Sequence, residues 1–494
     1  MHTLDTLIVE INDHFWTYLL IPLVAGAGLW FTLRSKVVQL RLFPEMLRVL
    51  KDPAPDAASG RKSVSAFGAF TLSAAARIGT GNVAGVAAAI TLGGAGAVFW
   101  MWVMALIGGA TAFVESTLAQ LYKVRNDDRD DENTFRGGPA YFIQHGLGRR
   151  WAGIVFAVII TLTFGWVFTA VQSNTISTVL ESSGGSGSTP FTLVVGVALA
   201  GLLALTVFGG VKRIANVTQV LVPFMAVLYL LMGTVVLVLN VNEVPRVLGD
   251  IVESAFGLRE AAGGAIGAAV MQGVRRGMFS NEAGLGSAPN AAATADVSHP
   301  VKQGLVQSLG VYFDTLIVCS MTAFVILSTS PSLAERGSAD VTRTALEQAL
   351  GGWAGHVLAV VVFLLAFSSM IGNYYYGESN IRFVTDSKPV MQGYRVIILA
   401  ATVLGAMGSV GVVWSLADVA MGAMALVNLL AILPLSIVAF RLLDDYVRQR
   451  RDGLDPVFTR DRLTGLEGVR CWEPSGVPDA RGTSGAAEEV AQRR

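Results

Sequence analysis

The chain has 494 residues, 53% of them hydrophobic and 15% charged, with a formal net charge of zero. A soluble protein of this length carries about a quarter charged residues, so the composition excludes an ordinary soluble globule, and the zero balance gives no sign of a nucleic-acid partner. Cys319 and Cys471 are the only cysteines, too few for a disulfide framework or a cysteine metal site.

The apolar residues fall in blocks. A helix needs about 20 mostly apolar residues to cross the hydrocarbon layer, and in lipid every backbone polar group must be paired within the chain. Eleven blocks reach that length, at roughly 15–33, 64–91, 95–121, 151–180, 190–210, 214–240, 259–290, 303–329, 353–378, 393–413 and 417–440. The expected fold class is all-α integral membrane, with eleven transmembrane helices. Asp5, Glu10 and Asp13 precede the first block where a cleavable leader would carry bases. The basic stretch 35–52 fits either a short helix on the membrane surface or a plain basic loop. Residues 181–189 read as a flexible loop. From about residue 443 large apolar residues thin out, the composition of a disordered tail.

Alternating the blocks from an outside N-terminus puts 31 lysines and arginines on one side. Four fall on the other side, Arg246, Arg259, Arg336 and Arg343. Positive flanks favour the cytoplasm, so the C-terminus is expected there.

Two blocks are interrupted by polar residues and glycines. In the second, Gly79, Gly81 and Asn82 surround Thr80; in the seventh, the break is expected at Gly273 and Gly277. Each glycine costs about 1 kcal/mol relative to alanine inside a helix. Glycines can also serve close helix packing, the reading given to Gly93, Gly94, Gly96, Gly108 and Gly109. Two sets of five helices, each starting with a broken one, are inverted relative to each other because five is odd. Broken helices at corresponding places of inverted repeats mark secondary transporters. The chain then divides into an extra helix and basic loop (1–63), a first repeat (64–242), a second repeat (243–442) and a tail (443–494). Freed N–H groups at a half-helix start suit a carboxylate, and freed carbonyls at a half-helix end suit a cation.

Charges inside the blocks cost at least about 2.5–3.5 kcal/mol, so each is expected to be paired or to face water. They are Arg77, Glu115, Arg275, Arg276, Glu282, Asp314 and Glu378. A gate pair from Arg77 to Asp314 or Glu115 is one expectation. Arg276 and Glu282 are expected to share an internal gate network.

The segments Arg77-Ile-Gly-Thr-Gly-Asn-Val-Ala-Gly and Arg276-Gly-Met-Phe-Ser-Asn-Glu-Ala-Gly-Leu-Gly-Ser-Ala-Pro resemble hallmark segments of the alanine-or-glycine:cation symporters. Phe208-Gly-Gly-Val-Lys-Arg-Ile-Ala and Gly372-Asn-Tyr-Tyr-Tyr-Gly-Glu are similar to two further family segments, and the likeness runs from about residue 10 to 445. The resemblance implies a LeuT-type 5+5 inverted repeat after one extra helix. It also implies co-transport of sodium with alanine or glycine across a prokaryotic plasma membrane; the transporter is expected to act as a monomer. It assigns the amides of Thr80 and Gly81 to the substrate carboxylate, Gln172 to one wall, and Met271, Gln272 and Gly273 to another. It assigns the carbonyls of Ala75, Ile78 and Leu365 and the hydroxyls of Ser368 and Ser369 to sodium. Asn373 departs from the family, which commonly has Trp there, and so admits a more polar or larger substrate. In two-sodium relatives of the fold a second ion lies near Arg77, and the arginine charge is expected to replace it. The alternatives are proton coupling through Glu115 or Asp314, or a membrane sensor that binds an amino acid without moving it. An enzyme is disfavoured, since His145, His299 and His356 stand singly at block ends.

Overall fold

The structure, a computed structural model, describes residues 10, 12–54, 63–126, 134–185, 187–257, 263–329 and 338–473. In chain order the main helices are α1 (Asn12–Arg34), α2 (Ala66–Arg77), α3 (Ala84–Gly93), α4 (Gly96–Leu121), α5 (Arg150–Ser182), α6 (Thr189–Val207) and α7 (Gly210–Leu239). They continue as α8 (Val244–Ala255), α9 (Gly263–Asn281), α10 (Pro300–Thr329), α11 (Ser338–Leu350), α12 (Trp353–Val384), α13 (Lys388–Met407) and α14 (Val410–Arg451). Among the described residues nine helices are long and apolar enough to cross a membrane. The two sequence blocks that fall short are the interrupted ones. Block two is split into α2 and α3, of 12 and 10 residues, and α9 carries Arg275 and Arg276.

Contacts sort the helices into two groups that repeat the order of the halves. The first two elements of each half pack together, α3 and α4 against α9 and α10. The third and fourth elements do likewise, α5 and α6 against α12 and α13. Small residues allow the close approach. A Cβ on Gly96 would lie 2.5 Å from the Ala255 nitrogen, and one on Gly405 would lie 2.5 Å from the Ala170 Cα.

The first break falls where the sequence puts it. Ser65 caps α2, its hydroxyl accepting from the Gly68 N–H at 3.1 Å. The helix ends at Arg77, and after Ile78 and Gly79 a single 3-10 turn, Thr80–Asn82, leads into α3. The second break is displaced from the expectation. Helix α9 runs unbroken through Gly273 and Gly277 to Asn281. The chain leaves it at Glu282 (φ 58°), Gly284 (φ 86°) and Gly286 (φ 77°). Gly273 is a packing notch, for a Cβ there would lie 2.5 Å from the Ala97 carbonyl oxygen and 2.6 Å from the Trp100 Cβ. A helix survives a glycine at about 1 kcal/mol, whereas left-handed backbone ends it.

The basic stretch after α1 forms two short helices, Val38–Arg41 and Phe43–Val49. The segment expected to lack structure from residue 443 is helical to Arg451 and then folds back over the arginine-rich face as far as Glu473. The Phe458 N–H donates to the Ser298 carbonyl at 2.8 Å, Trp472 Nε1 to the Gln120 carbonyl at 3.1 Å, and Arg462 Nε to Asp445 at 3.2 Å. Two buried aromatic anchors, Phe458 and Trp472, suffice where composition alone suggested none. Residues 474–494 of the tail, Asp5, and the first residues of block seven lie outside the described residues.

Candidate substrate and ion site

At the first break the half-helix ends are almost wholly buried. Gly79 N–H donates to Asn82 Oδ1 at 3.0 Å, and Asn82 N–H returns to the Gly79 carbonyl at 3.2 Å. Thr80 N–H donates to Oε1 of Gln172 at 3.2 Å. Gln172 comes from α5, just beyond a π-helical stretch, Thr163–Phe168, a distortion that re-aims the following turn. Thr80, Gly81 and Gln172 are thus brought together, with a side-chain oxygen already on an amide at the half-helix start. The Thr80 hydroxyl is buried without a hydrogen-bond partner.

Helix α12 lies against the carbonyl side of the same break. Ser368 Oγ donates to the Leu365 carbonyl at 2.8 Å and lies 3.5 Å from the Ala75 carbonyl. Ser369 Oγ donates to the Leu365 carbonyl at 3.0 Å. A Cβ on Gly79 would overlap the Ser369 hydroxyl, so the glycine is what admits α12 this closely. Ile78 has left helical geometry (ψ 84°), which turns its carbonyl away from the α2 ladder. Four oxygens of the expected shell, on Ala75, Leu365, Ser368 and Ser369, therefore converge from two helices, and hard cations choose such donors. Asn373 sits one turn beyond Ser369, buried, with Nδ2 unpartnered. Tyr376, nearly a turn further along, is likewise buried with its hydroxyl unpartnered. Unpartnered buried polar atoms are rare enough to mark a site.

The expected wall of Met271, Gln272 and Gly273 lies elsewhere. Met271 Sδ is 3.5 Å from the Thr17 hydroxyl of α1, Gln272 packs on Gly93, and Gly273 packs on α4. The residues of α9 that meet the first break are Phe279 and Ser280, at 3.0 and 3.4 Å from where a Gly81 Cβ would sit. Phe279 lies between Phe168 and Trp414, its ring tilted against both, with centroids 4.8 and 4.9 Å away. Placing the break too early on α9 hid this wall.

The buried charges are also paired differently. Asp314, in a π-helical stretch of α10 (Phe313–Cys319), accepts from Asn82 Nδ2 at 2.7 Å and from Ser280 Oγ at 2.7 Å. It is thus wired to both breaks, but not to Arg77. Arg77 donates through Nη1 to the Gln307 carbonyl at 3.2 Å, while Nε and Nη2 have no hydrogen-bond partner. Glu115 accepts from Asn428 Nδ2 at 2.8 Å and from the Gly284 N–H at 3.4 Å. Glu282 lies in the break and accepts from Ser287 Oγ at 2.6 Å. Arg276, on the helix before the break, pairs instead with Asp418 at 2.6 Å. Arg275 pairs with Asp13 at 2.8 Å. Asp418 escaped sequence reasoning, although a lone carboxylate in an apolar block calls for a cationic partner.

The sequence pattern of the sodium:alanine symporter family matches residues 1–460. The chain belongs to the sodium:alanine symporter family. It is 51% identical over 468 residues to the probable sodium/glutamine symporter GlnT of Bacillus subtilis, covering 94% of this chain and 95% of that one. It is 50% identical over 462 residues to the amino-acid carrier protein AlsT of the same organism, covering 94% and 96%. The sodium/alanine symporter AgcS of Methanococcus maripaludis is 37% identical over 440 residues, covering 87% and 94%. The crystal structure of MhsT in complex with L-phenylalanine matches with a TM-score of 0.53 at 15% identity, over 78% of this chain and 98% of that chain. That likeness shows the LeuT-type fold. This member of the sodium:alanine symporter family is a multi-pass amino-acid:cation symporter, and the family is one of transporters.

Proposed function

We propose that the protein carries a neutral amino acid into the cell together with sodium, by alternating access around the first break. The observation that supports this most is the juxtaposition of two unlike surfaces. The Thr80 amide already holds an acceptor oxygen, and beside it four oxygens gather across Gly79. A substrate carboxylate would take the place of the Gln172 oxygen, and sodium would take the serine hydroxyls from their own helix. Binding of the ion would tie α2 to α12 and so hold one arrangement of the two helix groups. The N-terminus would lie outside and the arginine-rich face inside; Arg275, paired with Asp13 at the N-terminal end of α1, would then lie towards the outer side with Arg276–Asp418, not among the inner bases of the charge count.

The family description supports alanine as the substrate, and the resemblance of the sequence segments adds glycine. Asn373, unpartnered where the family commonly has Trp, together with the resemblance to GlnT, supports glutamine, whose carboxamide would pair with it. Uptake of labelled alanine and glutamine into proteoliposomes decides both questions. Equal uptake in sodium and choline buffers would end the sodium proposal. A competition panel ranks the side chains.

A second reading, proton coupling, draws on one observation, the hydrogen bond from Asn82 of the break to Asp314. Uptake driven by a pH gradient in sodium-free buffer, and lost in Asp314→Asn, would replace sodium with the proton.

A further inference from the structure

The returning segment, residues 453–473, has no duty in the transport reading. Three glycines with left-handed backbone set its course, Gly453 (φ 77°), Gly465 (φ 73°) and Gly468 (φ 73°). Gly453 follows the last turn of α14. Its N–H donates to the Arg450 carbonyl at 3.2 Å, and the Leu454 N–H donates to the Gln449 carbonyl at 3.0 Å, a closing turn that glycine makes without strain. A Cβ on Gly468 would lie 2.3 Å from the His145 carbonyl oxygen, so glycine there lets the segment lie directly on the short helix Pro139–Leu147.

The segment joins parts of the molecule that belong to different helix groups. To α14 it is held by contacts local in sequence. Gln449 Nε2 donates to the Val457 carbonyl and Gln449 Oε1 accepts from the Val457 N–H, both at 3.0 Å. Arg462 pairs with Asp445 at 3.2 Å. To the first group it is held by long-range contacts. The Phe458 N–H donates to the Ser298 carbonyl, and Ser298 Oγ donates to the Pro456 carbonyl, each at 2.8 Å. Asp455 lies 3.2 Å from Lys302 in the first turn of α10. Trp472 Nε1 donates to the Gln120 carbonyl near the end of α4, and its ring lies 4.9 Å from Lys123 Nζ. Phe458 and Trp472, both buried, meet edge to face with centroids 5.5 Å apart. The short helix under Gly468 packs on α5, which belongs to the second group.

The inner side is closed in this structure. Every residue of the short helix Ala288–Ala292, between the second break and α10, is buried. Alternating access, the reading on which this inference rests, needs the inner ends of the two groups to part. A segment bonded to both opposes that parting, because only bonds that differ between two arrangements shift the balance between them. The contacts to α14 join positions 8 and 17 apart, whereas those of Ser298 and Gln120 join positions 158 and 352 apart. Closure entropy grows with separation along the chain, so the contacts to α10 and α4 are the ones to part.

We propose that residues 453–473 form an autoinhibitory strap, which holds the inner ends of α4 and α10 in the closed arrangement and must leave them before the inner side opens. Once released, the strap stays on α14 through Gln449 and Asp445. Its departure from Ser298, Lys302 and Gln120 then limits the rate of the transport cycle.

The test uses the full chain in proteoliposomes, with Cys471→Ser as the parent, so that the remaining native thiol is the buried Cys319. Ser298→Cys with Val457→Cys puts a thiol on each side of the contact between strap and α10. Cross-linking the pair, by oxidation or with a short bis-thiosulfonate, is expected to lower uptake of labelled amino acid about tenfold or more. The unfolding midpoint should stay level or rise, and reduction should restore uptake. Arrest without loss of stability is what a strap gives and what misfolding does not. Loosening acts in the other direction: Trp472→Ala is expected to raise substrate exchange about twofold or more. The cross-link decides if that variant does not fold. No uptake by the reduced parent overturns the transport reading and the strap with it. With the parent active, normal uptake by the cross-linked protein overturns the strap alone, and so does exchange by folded Trp472→Ala no faster than the parent's.

Discussion

The break between α2 and α3 and the break after α9 occupy corresponding places in the two halves, yet they are made of different things. The first has no left-handed residue among Ile78 to Val83. It is an extended step followed by one tight turn, and two of its amides are held by side chains, Gln172 and Asn82. The second turns through three left-handed residues and is stitched by Asn428. That side chain donates both to Glu115 at 2.8 Å and to the Gly284 carbonyl at 2.9 Å. A backbone held by a movable carboxamide can change partners when a ligand arrives. A backbone fixed by left-handed glycines and a buried carboxylate network is suited to keeping its shape. The comparison teaches that ligand exchange belongs to the first break, while the second sets where Phe279 and Ser280 stand against it.

Gly79→Ala should break this contrast most severely. The added methyl overlaps the Ser369 hydroxyl, and overpacking of about 3 kcal/mol corresponds to a loss of roughly a hundredfold in sodium-driven uptake. Normal uptake by well-expressed Gly79→Ala would remove the first break from the transport site. Ser369→Ala is expected to act more narrowly. It removes one ion ligand, and the sodium concentration for half-maximal uptake should rise about tenfold, the effect of about 1.4 kcal/mol. The maximal rate at saturating sodium should change little. An unchanged sodium dependence would take Ser369 out of the ion shell.

The same contrast explains what could be read in advance. The first break was legible because Gly79, Thr80, Gly81 and Asn82 are polar or helix-breaking residues inside an apolar block. The second was misplaced because glycine count points to Gly273 and Gly277, while the backbone turns at Glu282, a residue type with no such signature. Whether a glycine is a notch or a hinge depends on its neighbours. Gly273 has the α4 backbone beside it, a contact that joins positions far apart in sequence. The pairing of Arg276 with Asp418, 142 positions away, is invisible for the same reason. The returning segment was missed because two aromatics, Phe458 and Trp472, anchor a stretch whose average composition is polar.

Asn428→Ala tests the second break. It leaves the Glu115 carboxylate and the Gly284 carbonyl each short of a buried donor, at about 1–3 kcal/mol. The expected result is a lower unfolding midpoint in detergent with the substrate KM little changed. A large rise in KM with no loss of stability would give the second break a ligand-binding duty and erase the distinction.

The smallest effect expected is one of preference rather than of rate. Asn373 lies one turn from Ser369 on the face of α12 that meets the first break, and its amide nitrogen has no partner. Asn373→Trp fills that space with an apolar ring and removes the amide. A pocket that hydrogen-bonds a substrate carboxamide loses more for glutamine than for alanine, because only glutamine forfeits a polar contact. Competition of unlabelled glutamine against labelled alanine should weaken several-fold in the variant, while alanine uptake persists. If the variant keeps the wild-type order of the two amino acids, Asn373 does not contact the side chain, and specificity must be sought in the Phe168–Phe279–Trp414 cluster. That cluster reaches the first break from the second, so such a result would move side-chain selection to the shape-holding half of the pair.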